Sequence, residues 1–461
     1  MNDISFLTAA ELAPLIKTKQ LSPVELTKHM LSRVDHLDST LHTYITPLHE
    51  SALKQAREAE DLIMQDRYIG PLHGIPIGIK DNFYTKGIRT TDGSKLFADF
   101  IPNDTAAAVQ KLSAAGTIML GKLNMHELAA GLTGTNPFFG TTRNPWNIHY
   151  MPGGSSGGSA AALAAGLTTL ATGTDTFGSI RLPAAMCGVY GLKPTYGLVS
   201  KYGVFPSAWS LDHAGPMARS VSDLAFMLHY MAGYDSNDPA SLKVQIPDYT
   251  EDLNKGIRGI KIGIPACYFE RLDSDVEKLF NHAIAILRSL GAEIIDIVIP
   301  ELSMSTFSGY VTVTSEASAF HYEMLKTRSE EYSTDIRAFF LSGALTNSPQ
   351  YIRAQQARRK TAMAMKKAFN DVDIILGPTI PITTPAFHEK WVEQNLEVIR
   401  RCLPFISPAN LTGIPSLSVP MGLCSRGLPV GMQLMGNHLS EKRLLQVGNA
   451  WQSIKPLSIR I

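Results

Sequence analysis

From residue 67 onward the chain alternates short apolar runs with longer amphipathic stretches, and before that point helix-start signals dominate. Thr8 with Glu11 forms a capping-box pattern, and Ser22 with Glu25 forms a second, with Pro23 at the favoured first helical position. An Ala-, Glu- and Leu-rich stretch predicts a third helix over 51–64, so residues 1–66 read as a helical lead-in. Gly74-Ile75-Pro76-Ile77-Gly78-Ile79-Lys80 is a short apolar run that reads as a buried strand. An amphipathic helix over 103–115, opened by Asn103, Asp104 and Thr105 and closed by Gly116, precedes a strand over 117–120. The same order recurs in 160–165 with 167–171, and in 274–290 with 293–299, where Ser274 and Glu277 cap the helix and Gly291 stops it. Further apolar runs lie at 261–264, 374–376, 417–419 and 430–435. This alternation predicts an α/β protein with a central, mostly buried sheet. Residues 235–258 are polar, carry Pro239 and Pro247, and read as a surface connection with no domain break. Residues 300–370 read as a helical cap or flanking layer in which Met304, Met324, Met363 and Met365 fill core or pocket.

Composition narrows the class. The 461 residues are 44% hydrophobic and 18% charged, with a formal net charge of +1, which is globular and far from the signature of disorder. Near-neutral charge without long like-charged blocks argues against a nucleic-acid or membrane-surface partner. Cys187, Cys267, Cys402 and Cys424 form no CxxC and no zinc or iron–sulfur spacing, so no metal or cofactor is implied and reduced, mostly buried thiols are expected. The N-terminus lacks a basic region followed by an apolar one, and the most membrane-like stretch, 160–171, is short and broken by Gly and Thr. A cytoplasmic protein is the expectation.

The densest unusual segment is 151–199, where Gly, Ser and Thr crowd two loops beside predicted helices or strands. Small residues let backbone N–H groups approach a ligand closely. A phosphate cradle fails on specifics, since neither GxxxxGK[ST] nor GxGxxG opening a helix is present. Both loops carry serines, and a serine needs a base to become nucleophilic. His73, His126 and His213 are among 13 histidines, but no GxSxG elbow accompanies them. The SxxK at Ser51–Lys54 sits in the Ala/Glu-rich helix without companion motifs and reads as chance. Lys80, at the end of an apolar strand, is the better base, because desolvation lowers a lysine pKa from ~10.4 toward the ~7–8 useful for proton transfer. The alternative for Lys80 is an ion pair with Asp81 or another acid.

Together these residues resemble the amidase-signature family. Pro152-Gly153-Gly154-Ser155-Ser156-Gly157-Gly158-Ser159 matches its Gly/Ser loop, and Gly173-Thr174-Asp175 with Gly178-Ser179-Ile180-Arg181 and Pro183-Ala184 matches its nucleophile segment. Gly74-Ile75-Pro76 with Lys80-Asp81-Asn82, the loop from Asn136 to Trp146, Ala409–Pro415 and Gly427–Gly431 match further motifs, so that nearly the whole chain is covered. The resemblance implies one large α/β/α unit with a mixed sheet, in which 67–461 form the catalytic domain and 1–66 pack on its core. It implies a Ser–cisSer–Lys triad: Ser179 the nucleophile, Ser155 the proton relay with a cis peptide, Lys80 the terminal base, and Ser156 the rival to Ser155. The backbone N–H groups of Thr176, Phe177, Gly178 and Ser179 would form an oxyanion hole, at about 3 kcal/mol per donor. Asp175 and Arg181 would buttress the loop, and Ala129 would line the acyl side. Where many members have Gly-Gly-Ser, this chain has Phe177-Gly178-Ser179. Phe177 must therefore take an ordinary φ or be strained, and its ring would narrow the pocket beside the leaving group. Specificity is expected from 125–135, 300–370 and Phe177. The implied function is a free-standing monomeric or homodimeric amidase acting on a small or aryl amide, with esters and carbamates open to the same acyl-enzyme chemistry. The alternative is the glutaminase (A) component of a glutamyl-tRNA amidotransferase complex, the one reading with a nucleic-acid partner.

Overall fold

A computed structural model describes residues 3–454. In chain order the first elements are α1 (Ala9–Lys17), α2 (Pro23–Leu41), β1 (Tyr44–Pro47), α3 (His49–Met64), β2 (Pro76–Lys80), α4 (Ala107–Ala114), β3 (Ile118–Leu123), α5 (Gly157–Ala164) and β4 (Leu170–Asp175). Then come α6 (Arg181–Cys187), β5 (Tyr190–Lys193), β6 (His213–Ala218), α7 (Val221–Met231), β7 (Lys261–Pro265), α8 (Ser274–Ser289) and β8 (Glu293–Ile297). The last are α9 (Ser305–Thr327), α10 (Thr334–Ala344), α11 (Ser348–Ala368), β9 (Ile374–Pro378), α12 (Trp391–Thr412), β10 (Ser416–Leu423), β11 (Pro429–Gly436) and α13 (Glu441–Ile454).

The eleven strands of the described residues join one mixed sheet in the order β1-β3-β2-β4-β6-β5-β10-β11-β9-β7-β8. β3, β2 and β4 run parallel, as do β9, β7 and β8, and the strands between are antiparallel. Every residue of β2, β4, β5, β6, β9 and β11 is buried, so helices and loops cover both faces, as an α/β architecture requires. The predicted α/β class with a mixed, buried sheet is what the chain forms.

Several expected details differ, each for a local reason. The N-terminal segment is not purely helical, because β1 pairs antiparallel with β3 at the sheet edge. Helix α4 starts after Ala106, without a side-chain cap, so Asn103, Asp104 and Thr105 precede it. The N-cap of α8 is Asp273, one residue before the expected Ser274, and makes no side-chain cap bond. Its carboxylate instead holds Thr383 N at 3.1 Å and Arg401 at 2.8 Å. Met365 is buried as expected, whereas Met363 is 65% exposed. Cys187, Cys402 and Cys424 are buried free thiols and Cys267 is exposed. Among the described residues, no helix is long and apolar enough to cross a membrane.

The topology positions the two serine loops. Neighbouring parallel strands β2 and β4 end at Lys80 and Asp175 on the same edge. Carboxyl ends of parallel strands are where open α/β sheets place ligands. The loop after β3 and the helix α5 cross this edge in close contact, which is why the loop is rich in glycine. A Cβ on Gly154 would lie 2.8 Å from the Gly131 carbonyl oxygen, and one on Gly158 only 2.3 Å from the Asn124 carbonyl oxygen. These glycines act as spacers between backbones. Gly158→Ala should therefore cost about 3 kcal/mol, the upper end of overpacking, read as a lower urea midpoint at unchanged slope. An unchanged midpoint would show that the contact relaxes freely.

Candidate active site

Lys80 ends β2 with its side chain wholly buried. Its Nζ lies 2.8 Å from Ser155 Oγ, 2.9 Å from Ser156 Oγ and 2.7 Å from Thr174 Oγ1. Thr174 Oγ1 also accepts from Asn82 Nδ2 at 3.0 Å. Burial pushes the Lys80 pKa down to about 7, against the upward pull of the Asp92, Asp175 and Asp212 carboxylates. A large share of the amine is therefore neutral near pH 7, where a solvated lysine is almost wholly protonated. Asp81 is not its ion-pair partner: that carboxylate sits 3.3 Å from Lys122.

Ser155 and Ser156 are equally near the amine but differently committed. Ser156 Oγ also lies 3.3 Å from the Thr174 carbonyl, to which it donates, and accepts from Thr174 N at 3.4 Å. The only hydrogen bond of Ser155 Oγ among the described residues is the one to Lys80. Its proton is committed to no other group, so a neutral Lys80 can receive it while a lone pair of Ser155 Oγ stays free. The peptide between Gly154 and Ser155 is cis, as the resemblance implies.

Ser179 is 3% exposed and lines a cavity. Among the described residues its hydroxyl makes no hydrogen bond, and none joins it to Ser155; contacts of this kind are often loose without substrate. Asp175 fixes the loop that carries it. Its carboxylate accepts from Gly178 N at 2.6 Å, Ile180 N at 3.2 Å, Arg181 Nε at 3.0 Å and Asn410 Nδ2 at 2.9 Å. Burial raises the Asp175 pKa, but the Arg181 guanidinium, with Lys193 and the Asn410 amide, more than offsets this and holds the carboxyl well below the usual range. Arg181 in turn reaches Gln433 of β11 at 2.9 Å and both the Ile406 carbonyl and Asn410 of α12, at 2.9 and 2.7 Å. The expected buttress is therefore present and larger than a pair.

One expected oxyanion donor is corrected. The Gly178 N–H is taken by Asp175, which leaves the N–H groups of Thr176, Phe177 and Ser179 as the candidates on this loop. The Thr176 hydroxyl is anchored on Asp212 at 2.6 Å. Phe177 is unstrained: the left-handed backbone falls on Gly178, at φ +88°, and not on the phenylalanine. Its ring does not simply stand in the pocket, because it rests on α9 where Gly309 has no side chain.

The cavity beside Ser179 has a volume of about 30 Å³, far below the ~300–1,000 Å³ of ordinary ligand pockets. Ala129 lines it, as expected, with Ala130, Gly131, Leu132, Thr176 and Phe177. Leu128 and Ala129 hold positive φ values of 51° and 54°, a backbone state that non-glycine residues rarely adopt. The expected regions contribute further walls through Tyr310, Val313 and Phe339, whereas Ile399 and Leu403 of α12 were not anticipated. Nor was Asp92, a buried carboxyl beside Lys80 with one unpartnered oxygen and a pKa raised by burial. Among the described residues no histidine bonds Ser155 or Ser179: His126 meets Asp335 at 3.1 Å, and His213 Nδ1 meets the Leu211 carbonyl at 2.6 Å.

A strand-end amine wired to hydroxyls beside a buttressed Gly-Ser loop defines a class, and comparison with known proteins agrees. Residues 25–445 match the sequence model of the family described as Amidase, and the chain belongs to the amidase-signature family. It is 41% identical over 477 residues to the A component of the glutamyl-tRNA(Gln) amidotransferase of Geobacter sp. (strain M21), covering 98% of this chain and 97% of that protein. It is similar to a solved chain from a vestigial protein complex that bears on the evolutionary origins of an s-triazine catabolic enzyme, with TM-score 0.93, 31% identity and coverage of 99% and 100%. A bacterial aryl acylamidase of the same family superposes with TM-score 0.88 at 28% identity, covering 98% and 97%.

Asp175→Asn should destabilise the chain by about 3–5 kcal/mol, because it strands the buried Arg181 charge. Urea unfolding followed by circular dichroism reads this directly, and a loss under 1 kcal/mol would contradict the buttress.

Proposed function

We propose that this protein is an amide hydrolase that forms an acyl-enzyme on Ser179, with Ser155 as relay and Lys80 as terminal base. The observation that carries this reading is the Lys80 amine: fully buried, hydrogen-bonded to Ser155 and with its pKa pushed down to about 7. In the proposed reaction Ser179 Oγ attacks the carbonyl carbon while its proton passes to Ser155 Oγ, and the Ser155 proton passes to neutral Lys80. The N–H groups of Thr176, Phe177 and Ser179 receive the developing oxyanion, in a site where fixed donors outperform water. As the carbon–nitrogen bond breaks, the proton held by Lys80 returns through Ser155 to the departing amine. Water then enters by the same relay, cleaves the ester on Ser179 and releases the acid. Ser156 and Thr174 hold the amine in place throughout.

The acyl group of this proposed substrate is small and uncharged. The residues that line the cavity beside Ser179 include no carboxylate, ammonium, guanidinium or imidazole. Free glutamine would bring an ammonium and a carboxylate, and burying either without a partner costs several kcal/mol.

A second reading, the glutaminase (A) component of an amidotransferase complex, is favoured by a different observation. The relatives that carry that name are 40–42% identical across nearly the whole chain, above the 28% of the aryl acylamidase. Similarity by name thus favours the second reading, and the apolar cavity favours the first. The two separate on the purified chain. The hydrolase reading expects turnover of short-chain anilides, esters or carbamates without partners, little activity on glutamine, and kcat/KM rising with pH through about 7 as Lys80 loses its proton. Glutamine turnover that requires partner proteins and tRNA would instead establish the second.

A further inference from the structure

The cavity beside Ser179 is walled on two sides by helices α9 and α12. On α9, Tyr310 and Val313 face it; on α12, Ile399 and Leu403 do. The residues one turn further on are Gly309 of α9 and Ser407 of α12, since residues four apart share a helix face. A Cβ built on Gly309 would sit 2.8 Å from Phe177 Cε1, 2.9 Å from its Cζ and 3.3 Å from Ser407 Cβ. Gly309 and Ser407 therefore stand opposite each other, with the Phe177 ring against them. Ser407 is wholly buried and its hydroxyl has no hydrogen-bond partner among the described residues. The helices meet at this point, and the Phe177 ring, which lines the cavity, fills the space beside Gly309.

We propose that Phe177 is a specificity-determining plug, seated in a socket made by the missing side chain of Gly309, that sets the longest acyl group the site accepts. The inference rests on the acyl-enzyme reading above and names the residue pair that limits its substrates. With the ring in place, the cavity takes short acyl groups. Without it, the cavity extends into the space the ring vacates, against the bare backbone of Gly309 and the Ser407 Cβ. A side chain on Gly309 acts the other way: it drives the ring toward Ser179 and shortens the cavity.

The test is a series of straight-chain carboxylic acid p-nitroanilides, from acetyl to decanoyl, with the wild type, Phe177→Ala and Gly309→Ala. Binding of the corresponding free carboxamides is measured by calorimetry alongside. The wild type is expected to favour the shortest members. Phe177→Ala should move the optimum to longer chains, with affinity and kcat/KM rising about fourfold per added methylene over the first few carbons. Gly309→Ala should truncate the series further. If Phe177→Ala fails to fold, the opposite shift in Gly309→Ala still decides the matter. Chain-length profiles that are the same in the wild type and in whichever variants fold would overturn the plug. Carboxamide binding decides this even if no anilide is turned over, and that lack of turnover would count against the hydrolase reading alone.

Discussion

A primary amine removed from water has to place its hydrogen bonds in the protein, and Lys80 places them on Ser155, Ser156 and Thr174. The rest of the architecture can be read from that requirement. A fully buried ammonium with only hydroxyl partners is unstable enough that its pKa falls to about 7. The hydroxyls can approach because β2 and β4 run parallel and end together. The Ser155–Ser156 loop can cross between them because its glycines permit backbone contacts that any side chain would block. Three nearby carboxylates temper the desolvation without pairing directly with the amine, for no salt bridge to Lys80 occurs among the described residues.

A second buried charge steadies the Ser179 loop by the opposite route. Arg181 is fully paired, and the carboxylate of Asp175 that faces it gathers two backbone N–H groups of the same loop. Through Gln433 and Asn410 this pair ties the loop to β11 and to α12. These two buried cations thus divide the labour: one is hydrogen-bonded only to neutral hydroxyls and close to neutrality, while the other is paired with a carboxylate. The same α12 that holds Arg181 also walls the cavity with Ile399 and Leu403, so loop geometry and cavity shape depend on one helix.

Much of this was legible in the sequence, and the parts that were not share a physical cause. Lys80, Ser155, Ser179, Asp175 and Arg181 lie in contiguous motifs because a loop that must bend tightly and present N–H groups needs Gly and Ser in order. The α/β class followed from apolar runs buried on both faces. Strands β5 and β6 escaped notice because YGLK and HAGPMA are short and rich in small residues or proline, without alternation. Helix α12 escaped because it carries Pro404 and Pro408 internally, which ordinarily ends a helix. The capping of α8 was misplaced by one residue because Asp273 has a stronger use elsewhere, holding Thr383 and Arg401. Gly178 was counted as a free donor because only the fold shows its N–H aimed at Asp175. The cavity walls were the least readable, since Tyr310, Phe339 and Leu403 come from three helices that meet only through tertiary packing.

The central claim is that Ser179 is the residue that becomes acylated. Treatment of the wild type and of Ser179→Ala with an alkyl fluorophosphonate, followed by intact-protein and peptide mass spectrometry, tests it most directly. The account predicts a phosphonyl adduct on the wild-type peptide that contains Ser179, and neither adduct nor amide turnover in Ser179→Ala. An adduct or turnover that persists in the variant, or a wild-type adduct on another serine, would contradict it.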